Sequence, residues 1–500
     1  MSKEQEYKEL IKENLFNTLS SGFIPGMGIH KPGKVRDVHF TSDEIGQPIV
    51  MISSDRVSCF DNILSRQIPF KGKVLNLFSQ WAFEQTKDIV GNAMIKSPHD
   101  NAVIQKTMNK INYEFVIRGY VWGSMAEDYE NGKREFCGIN LPDNLLRYQK
   151  LDQPLFTPAT KAEYGDHDIN VSFEYMAERL GKELSEKLRD ISMKLYQRAS
   201  DLARQKGFIF IDTKYEFGLD ENNKIYLIDE ANTPDSSRYC RVEEVQKFEK
   251  IKQEMQTDQY KNVTELLQAK PELKIKELSK QFVREVLIEK GYKGYGGSGT
   301  VPELDDNDVI ETSWRYISLY EELTGNKFDF NTSKNIRADL LSSLEKEGLI
   351  KHGFTLILAG SDSDLPHIRS IQDELKKYNI SSSAKICSAH KQPAACLKII
   401  EEYNSSIEPV VIISIAGATD ALSGVASFHS IHPVISCPPD KNNYISCIGN
   451  PPGSSNSLIL NPKNVARHVA QILGQHSRKY HDIIKKENHE KIQKLEQANK

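Results

Sequence analysis

The chain has 500 residues, with 65 basic and 69 acidic side chains and a formal net charge of −4. That length exceeds one ordinary core and implies two or three domains, and the near balance of charge argues against a nucleic-acid footprint. No apolar run approaches the ~20 residues of a membrane span, the charged amphipathic start lacks the apolar stretch of a signal peptide, and the seven cysteines contain no CxxC pair; a reduced, cytoplasmic protein with no nucleic-acid or membrane partner is expected.

Residues 22–40 read as a Gly/Pro-rich loop followed by a strand. Gly28–Lys34 fits GxxxxGK, the first part of a P-loop, but Val35 stands where Ser or Thr is needed for Mg²⁺, and no strong strand precedes it. The P-loop is therefore rejected. A glycine turn carrying Gly33, Lys34 and Arg36 can still cover phosphates; the plain alternative is an ordinary β-turn. Residues 49–61, IVMISSDRVSCFD, read as an apolar strand running into Asp55, Arg56 and Asp61. Strand–loop junctions commonly carry binding groups, and an Arg–Asp pair pinning the turn is the alternative. Residues 70–90 show helical spacing with Trp81 in the core. In EFVIRGYVWGSMA, residues 114–126, a strand and turn carry Arg118 and Ser124; Arg suits bidentate phosphate or carboxylate binding. Residues 156–170 read as a long polar lid, in which His167 is surface polarity rather than a metal ligand. One helix is expected from Phe173 to Lys206.

Two apolar runs, FIFI and IYLI, flank the turn formers Asp220–Asn223 and predict a β-hairpin. Alternation along the first strand puts Asp212, Lys214 and Glu216 on one face, opposite a strand ending in Asp229-Glu230. Such a set suits a metal–nucleotide site, because Mg²⁺ takes a few carboxylate oxygens and completes its shell with phosphates and water. A solvated edge face is the alternative. If the hairpin is symmetric about residue 221, Glu230 shares the face of Glu216; a one-residue bulge brings Asp229 there instead. Spacing leaves both open. Residues 241–330 read as mostly helical, broken by a flexible glycine-rich loop at 293–299.

Residues 329–352 read as a helical connector with N-cap candidates at Asn331–Ser333. From Phe354 the pattern changes to strand, polar loop, helix. FTLILA leads to Gly360-Ser361-Asp362-Ser363-Asp364, SSSAKI to Cys387-Ser388-Ala389-His390-Lys391, and PVVIISIAG to Ala418-Thr419-Asp420; PVISCPP adds a fourth strand. This order predicts a doubly wound parallel sheet. All three polar clusters then fall at carboxyl ends of strands, where such sheets bind ligands, and His390 becomes a functional candidate. Residues 476–500 read as a charged helix, packed on a neighbouring subunit or solvated.

GKVRDV, ISSDRVSCFD, IRGYVWGS, DTKYEFG and DEANTPDSSRY occur in that order within residues 1–328, which resemble the SAICAR synthetases, ATP-dependent C–N ligases of purine synthesis. SKQFVREVL and ETSWRYISLYEELTG resemble the longer form of that family. The resemblance implies an ATP-grasp-like α+β domain using ATP and Mg²⁺. It implies Glu216 and Asp229 as metal carboxylates and Gly33, Lys34, Arg36 and Lys214 around ATP. It places Arg118, Ser124, Asp55, Asp235, Ser236 and Arg238 around CAIR and L-aspartate, with Asp212 near the reacting groups. Cys59 stands where Ala is common.

GSDSD, SAHK and IAGATDALSG, within residues 353–475, resemble the PurE family of AIR carboxylases. The resemblance implies a flavodoxin-like domain that carboxylates AIR with CO₂ without a cofactor. It implies His390 and Lys391 as catalytic, with Gly360, Ser361, Asp362, Asp364, Ser388, Gly417 and Ala418 around AIR and CO₂. Lys391 after the His, and a glycine-rich loop without His, resemble the CO₂-using class rather than the mutase class. Two features depart from that class: AGRSN is replaced by Ala416-Gly417-Ala418-Thr419-Asp420, and the segment between Pro439 and Pro451 is shorter. Together the two halves resemble the bifunctional PAICS-type enzymes, which implies a homo-oligomer, an octamer by resemblance. The alternatives are a mutase-type second domain, or a catalytically silent ligand-binding or oligomerisation module.

Overall fold

The computed structural model describes the chain apart from residues 1, 43, 162–167, 258, 279, 295–299, 331–334, 352, 441–443 and 500. His167, the glycine run at 295–299 and the cap candidates at 331–333 lie outside the described residues. The chain divides into two units, residues 1–20, 33–36 and 42–336, and residues 21–32, 37–41 and 337–500.

In the first unit, the apolar run predicted near residue 50 forms β1 (Pro48–Ser53), followed by helix α1 (Lys71–Thr86) and strands β2 (Met94–His99) and β3 (Ala102–Lys106). β3 lies between β1 and β2, antiparallel to both. A larger sheet carries the site. Its strands are β4 (Tyr113–Tyr120), which leads into helix α2 (Gly123–Glu130), then β5 (Lys150–Phe156) and, after helix α3 (Lys182–Gln205), β6 (Phe208–Leu219), β7 (Ile225–Ile228) and β8 (Ser237–Arg241). β4 runs between β5 and β6; β6 pairs β8 along its first half and β7 along its second. The unit also holds helices α4 (Val245–Met255), α5 (Gln281–Glu289) and α6 (Asp306–Thr324), with further ones at Lys3–Glu13 and Val263–Ala269. The helix expected over Phe173–Lys206 is two helices, because Gly181 adopts φ 88° between Phe173–Leu180 and α3; that conformation costs glycine little.

β6 organises this unit. Phe208 and Phe210 precede a register shift between Phe210 and Asp212, and Tyr215 and Phe217 follow it, yet all four enter one aromatic core. A bulge adds one residue and so restores the inward face after an odd step. The opposite face changes from Ile209 and Ile211, in an apolar cluster, to Asp212 and Lys214, which line a cleft.

The second unit has β9 (Phe354–Ala359), α7 (Leu365–Lys377), β10 (Ser381–Ile386), α8 (Pro393–Asn404), β11 (Val410–Ile415), α9 (Leu422–His429), β12 (Val434–Ser436), β13 (Asn456–Leu458), α10 (Pro462–Leu473) and α11 (Arg478–Ala498). The sheet runs β10-β9-β11-β12-β13, every pair parallel. This is the flavodoxin-like order, with its crevice where the winding reverses between β9 and β11. β9 and β11 are fully buried, as their unbroken apolar runs require. β13 is a fifth strand beyond the four expected; it is three polar-rich residues long, too short for a periodic signal. The C-terminal helix is anchored at its start: Tyr480 is fully buried beside α10, and the Tyr378 hydroxyl donates to Glu487 at 2.7 Å. Its last turns are exposed.

Candidate active sites

The cleft of the first unit measures about 1050 Å³ and is lined by strand ends of the larger sheet. Register fixes its centre. Asp212 of β6 lies opposite Arg118 on β4 and opposite Arg238 on β8. Two guanidiniums therefore converge on one carboxylate: Nη1 of Arg118 lies 3.3 Å and Nη1 of Arg238 2.5 Å from Asp212 Oδ2. Burial pulls Arg118 below the ordinary arginine value against the attraction of Asp212. Arg238 also lies against Gly123, where φ is 55° and a Cβ would press on the guanidinium at 3.0 Å. Glycine serves both needs there, and Ser124 follows in the first turn of α2. Asp235 and Ser236 line the same cleft. Asp235 accepts from Lys71 Nζ and Tyr316 OH, both at 2.7 Å. Burial pushes its carboxyl up, but Lys71, Lys280 and Tyr316 hold it below the usual carboxylate range.

A tight turn joins the antiparallel strands Ile29–Pro32 and Arg36–Phe40. A strand–turn–strand has no helix to follow a P-loop, in line with its rejection. A Cβ at Gly33 would strike the Arg36 carbonyl, so this tight turn requires glycine. Lys34 lines the cleft and pairs with Asp61 at 2.5 Å. Arg36 reaches both Asp229, at 3.4 Å, and Glu230. Lys214 pairs with Glu114 at 2.6 Å. Glu216 holds Lys161 and Lys110.

The hairpin pairs Glu216 with Ile228, so it is not symmetric about residue 221, and β7 ends at Ile228. Asp229 takes a left-handed φ of 63°. Alternation stops at that residue, so neither the regular ladder nor a bulge within it describes the turn. Burial raises the Asp229 carboxyl above its ordinary value, and the like charges of Glu216 and Glu230 add to this against Arg36. Glu216, buried, and Asp229, half-buried, are close enough to repel, and such a pair suits a divalent cation that takes its other ligands from phosphate and water. Among the described residues no three His, Cys, Asp or Glu side chains form a complete metal cage.

In the second unit the three polar clusters follow β9, β10 and β11 directly. Ser361 caps the turn after β9 by accepting from Ser363 N at 3.2 Å. Asp364 is buried, which raises its carboxyl. Gly417 faces it; a Cβ there would lie 3.7 Å from Asp364 Oδ1. Ser388 Oγ accepts from Lys391 N at 3.3 Å, shaping the loop that presents His390 and Lys391 to solvent. Gly360 is half-buried, and Asp362 and Ala418 are exposed. Asp420 is buried, and its Oδ1 accepts from Ser423 N at 2.9 Å, capping the start of α9. An Asn oxygen would accept the same bond.

A SAICAR synthetase family model matches residues 29–278, and an AIR carboxylase family model matches residues 355–494. The chain belongs to the SAICAR synthetase family. An AIR carboxylase-type segment is fused behind that domain. The phosphoribosylaminoimidazole-succinocarboxamide synthase of Cytophaga hutchinsonii is 39% identical over 338 residues, covering 67% of this chain and 98% of the relative. That of Flavobacterium psychrophilum is 36% identical, covering 66% and 95%. Among solved structures, the Saccharomyces cerevisiae SAICAR synthase complexed with SAICAR matches at 28% identity and a TM-score of 0.51, covering 62% of this chain and 99% of that one.

The synthetase cleft gathers Lys34, Arg118, Ser124, Asp212, Lys214, Asp235, Ser236 and Arg238. The structure does not bring Asp55 to its wall, and Gly33, Arg36, Glu216 and Asp229 also lie outside its lining. Asp55 is fully buried, with Oδ2 accepting from Leu19 N at 2.8 Å and Oδ1 from Gly72 N at 2.9 Å, so both oxygens tie the chain together. The cleft also holds Lys280 and Arg284, which sequence reasoning did not single out. Burial lowers Lys280 below the ordinary lysine value. Their signal was a Lys–Arg pair at helical spacing in SKQFVREVL, which puts both on one side of α5.

Proposed function

We propose that the first unit makes SAICAR from CAIR, L-aspartate and ATP, and that the second makes CAIR from AIR and CO₂. The observation that carries the first half is the Arg118–Asp212–Arg238 cluster beside Ser124, in a cleft that also holds Lys34 and Lys214. A nucleotide analogue with a phosphate and a carboxylate presents two anionic groups to two guanidiniums, which bind such groups bidentately. The CAIR carboxylate is a poor electrophile. Its oxygen attacks the γ-phosphorus of ATP, ADP leaves, and an acyl phosphate results. The aspartate amine then attacks the acyl carbon, phosphate leaves, and the amine proton passes to a neighbouring base. Arg118 and Arg238 orient CAIR, Asp212 holds the guanidiniums in register, and Lys34, Arg36 and Lys214 offset phosphate charge. Mg²⁺ on Glu216 and Asp229 would supply further charge neutralisation at the transferring phosphoryl group.

In the second unit the AIR ring carbon attacks CO₂ and then loses its proton. His390, exposed on the loop after β10, would carry out that transfer, with Lys391 and Ser388 beside the new carboxylate. Ser361, Asp362 and Asp364 would hold AIR. The exposed apolar side chains Phe428, Ile431, Ile445 and Ile448 support a homo-oligomer formed through this unit. Ala418 and Asp420 favour a second reading, a mutase-type or silent domain, because they alter the loop that faces CO₂ in the resemblance. The deciding experiment supplies the purified chain with AIR and bicarbonate, without ATP, and follows CAIR by absorbance. CAIR formation above the uncatalysed rate is expected. Its absence, alongside normal SAICAR synthesis from supplied CAIR, would replace the carboxylase reading with the second one.

A further inference from the structure

A separate cavity of about 240 Å³ lies in the first unit behind Trp122. Two irregularities open it: the register shift between Arg118 and Tyr120 on β4, and the one between Phe210 and Asp212 on β6. Neither strand keeps a continuous ladder there, and α4 closes over the gap with Val245 and Phe248. Tyr120, Trp122, Tyr148 and Phe248 supply aromatic walls, and Ile209 and Ile211 an apolar floor. Dry apolar cavities of ~150 Å³ take up benzene, so this one has room for two fused rings. Lys150 and Glu249, both exposed, put opposite charges at the rim, and Gln149 offers an amide. Among the described lining residues the one cation is Lys150, and the acid Glu249 lines the cavity with it.

Together with Ile275, Trp122 and Tyr148 line both this cavity and the cleft and form the partition. Their rings are 4.3 Å apart, and Tyr148 is held there with φ 75°. The Trp122 indole N–H donates to Glu277, whose carboxylate lies 3.8 Å from Arg238 Nε. The backbone at Glu277 in turn bridges Cys240, another wall residue. A molecule in the cavity therefore pushes on the indole that sets Glu277, and Glu277 competes with an incoming anion for Arg238.

We propose that this cavity is a second binding site, for a neutral, planar, two-ring aromatic compound, and that filling it weakens binding at Arg238. The coupling rests on Arg238 holding CAIR; the binding does not. The probes are indole and adenine, applied to the full chain and followed by saturation-transfer NMR. Val245→Trp plugs the mouth: Val245 is the first residue of α4, 38% exposed, and outside the synthetase machinery. At least one probe should bind the wild type, and V245W should bind it at least tenfold more weakly with basal ligation unchanged. The tighter probe tells an indole-like ligand from a nucleobase. In the wild type the bound probe should raise KM for CAIR at least threefold and leave KM for ATP alone. No transfer to either probe, or equal transfer in V245W, overturns the site. Binding with an unmoved KM overturns the coupling. If the chain does not ligate CAIR at all, the reading of Arg238 fails while the NMR still decides the site.

Discussion

Asp55 separates a residue that holds the fold from one that performs chemistry. It stands beside an Arg at a strand end, a pattern that matches a ligand group in sequence, and only its burial and its two backbone donors reveal its work. Burial raises its carboxyl from 3.8 to about 6 despite the bonds from Leu19 and Gly72. The folded state therefore holds this proton longer than the unfolded state does. Its contribution to stability is present below the unfolded value and is lost as pH rises through the folded one, from about 4 to about 6. Asp55→Asn cannot ionise, and its amide must turn one N–H toward a backbone donor, which costs ~1–3 kcal/mol. Urea unfolding at pH 4, 5, 6 and 7 should show a lower curve for D55N at pH 4, with the gap narrowing by pH 7. KM for CAIR should stay at the wild-type value. A constant gap across the series would mean that the carboxyl titrates normally, and a raised KM would return Asp55 to the cleft.

At the scale of elements, hydrophobic period revealed most of the strands and helices, and turn composition revealed the hairpin. Two backbone devices stayed hidden. The bulge at Phe210–Asp212 leaves no compositional trace, because both faces of the FIFI run that leads into it are apolar. The left-handed Asp229 defeats any reading based on alternation, since non-glycine residues seldom take positive φ. The bulge has an anchor: the Tyr196 hydroxyl of α3 donates to the Phe210 carbonyl at 2.9 Å, and Gly119 of β4 makes the room for it. Gly119→Ala should drive the tyrosine out and destabilise the first unit by ~1–3 kcal/mol, the usual cost of overpacking. Thermal unfolding would record this as an earlier transition, and an unshifted one would show that the bulge does not depend on Tyr196. In the second unit, Asp420→Ala should cost ~1 kcal/mol by uncapping α9, while Asp420→Asn should fall within a few tenths. Equal losses in both variants would point to a role for the charge itself.

At the scale of the whole molecule, the order of polar clusters along the parallel sheet was legible because strand, loop and helix repeat in sequence, and the family motifs located the synthetase before any geometry was known. The cleft's supporting cations were less legible. Lys280 and Arg284 sit inside a helical run, and only folding brings them to the wall, while buried Lys71 acts from behind it through Asp235. The two sites draw on different unit cores, different strands and different chemistry, so each should fail alone. Asp229→Asn removes one of the two carboxylates proposed for Mg²⁺ and leaves Arg36 with Glu230. Ligation should fall by ~10²–10³-fold, the scale of losing one electrostatic contact at a transition state, with CAIR formation unchanged. His390→Asn keeps a polar group of similar size but cannot carry the proton. Carboxylation should fall by ~10²–10⁴-fold, the usual worth of a general acid–base group, with ligation of supplied CAIR unchanged. Assaying both steps on both variants gives four rates. Normal ligation in D229N would remove Asp229 from the metal site, and normal CAIR formation in H390N would remove His390 from the mechanism. If either variant lowers both rates together while its unfolding profile matches the wild type, the sites are coupled rather than merely fused.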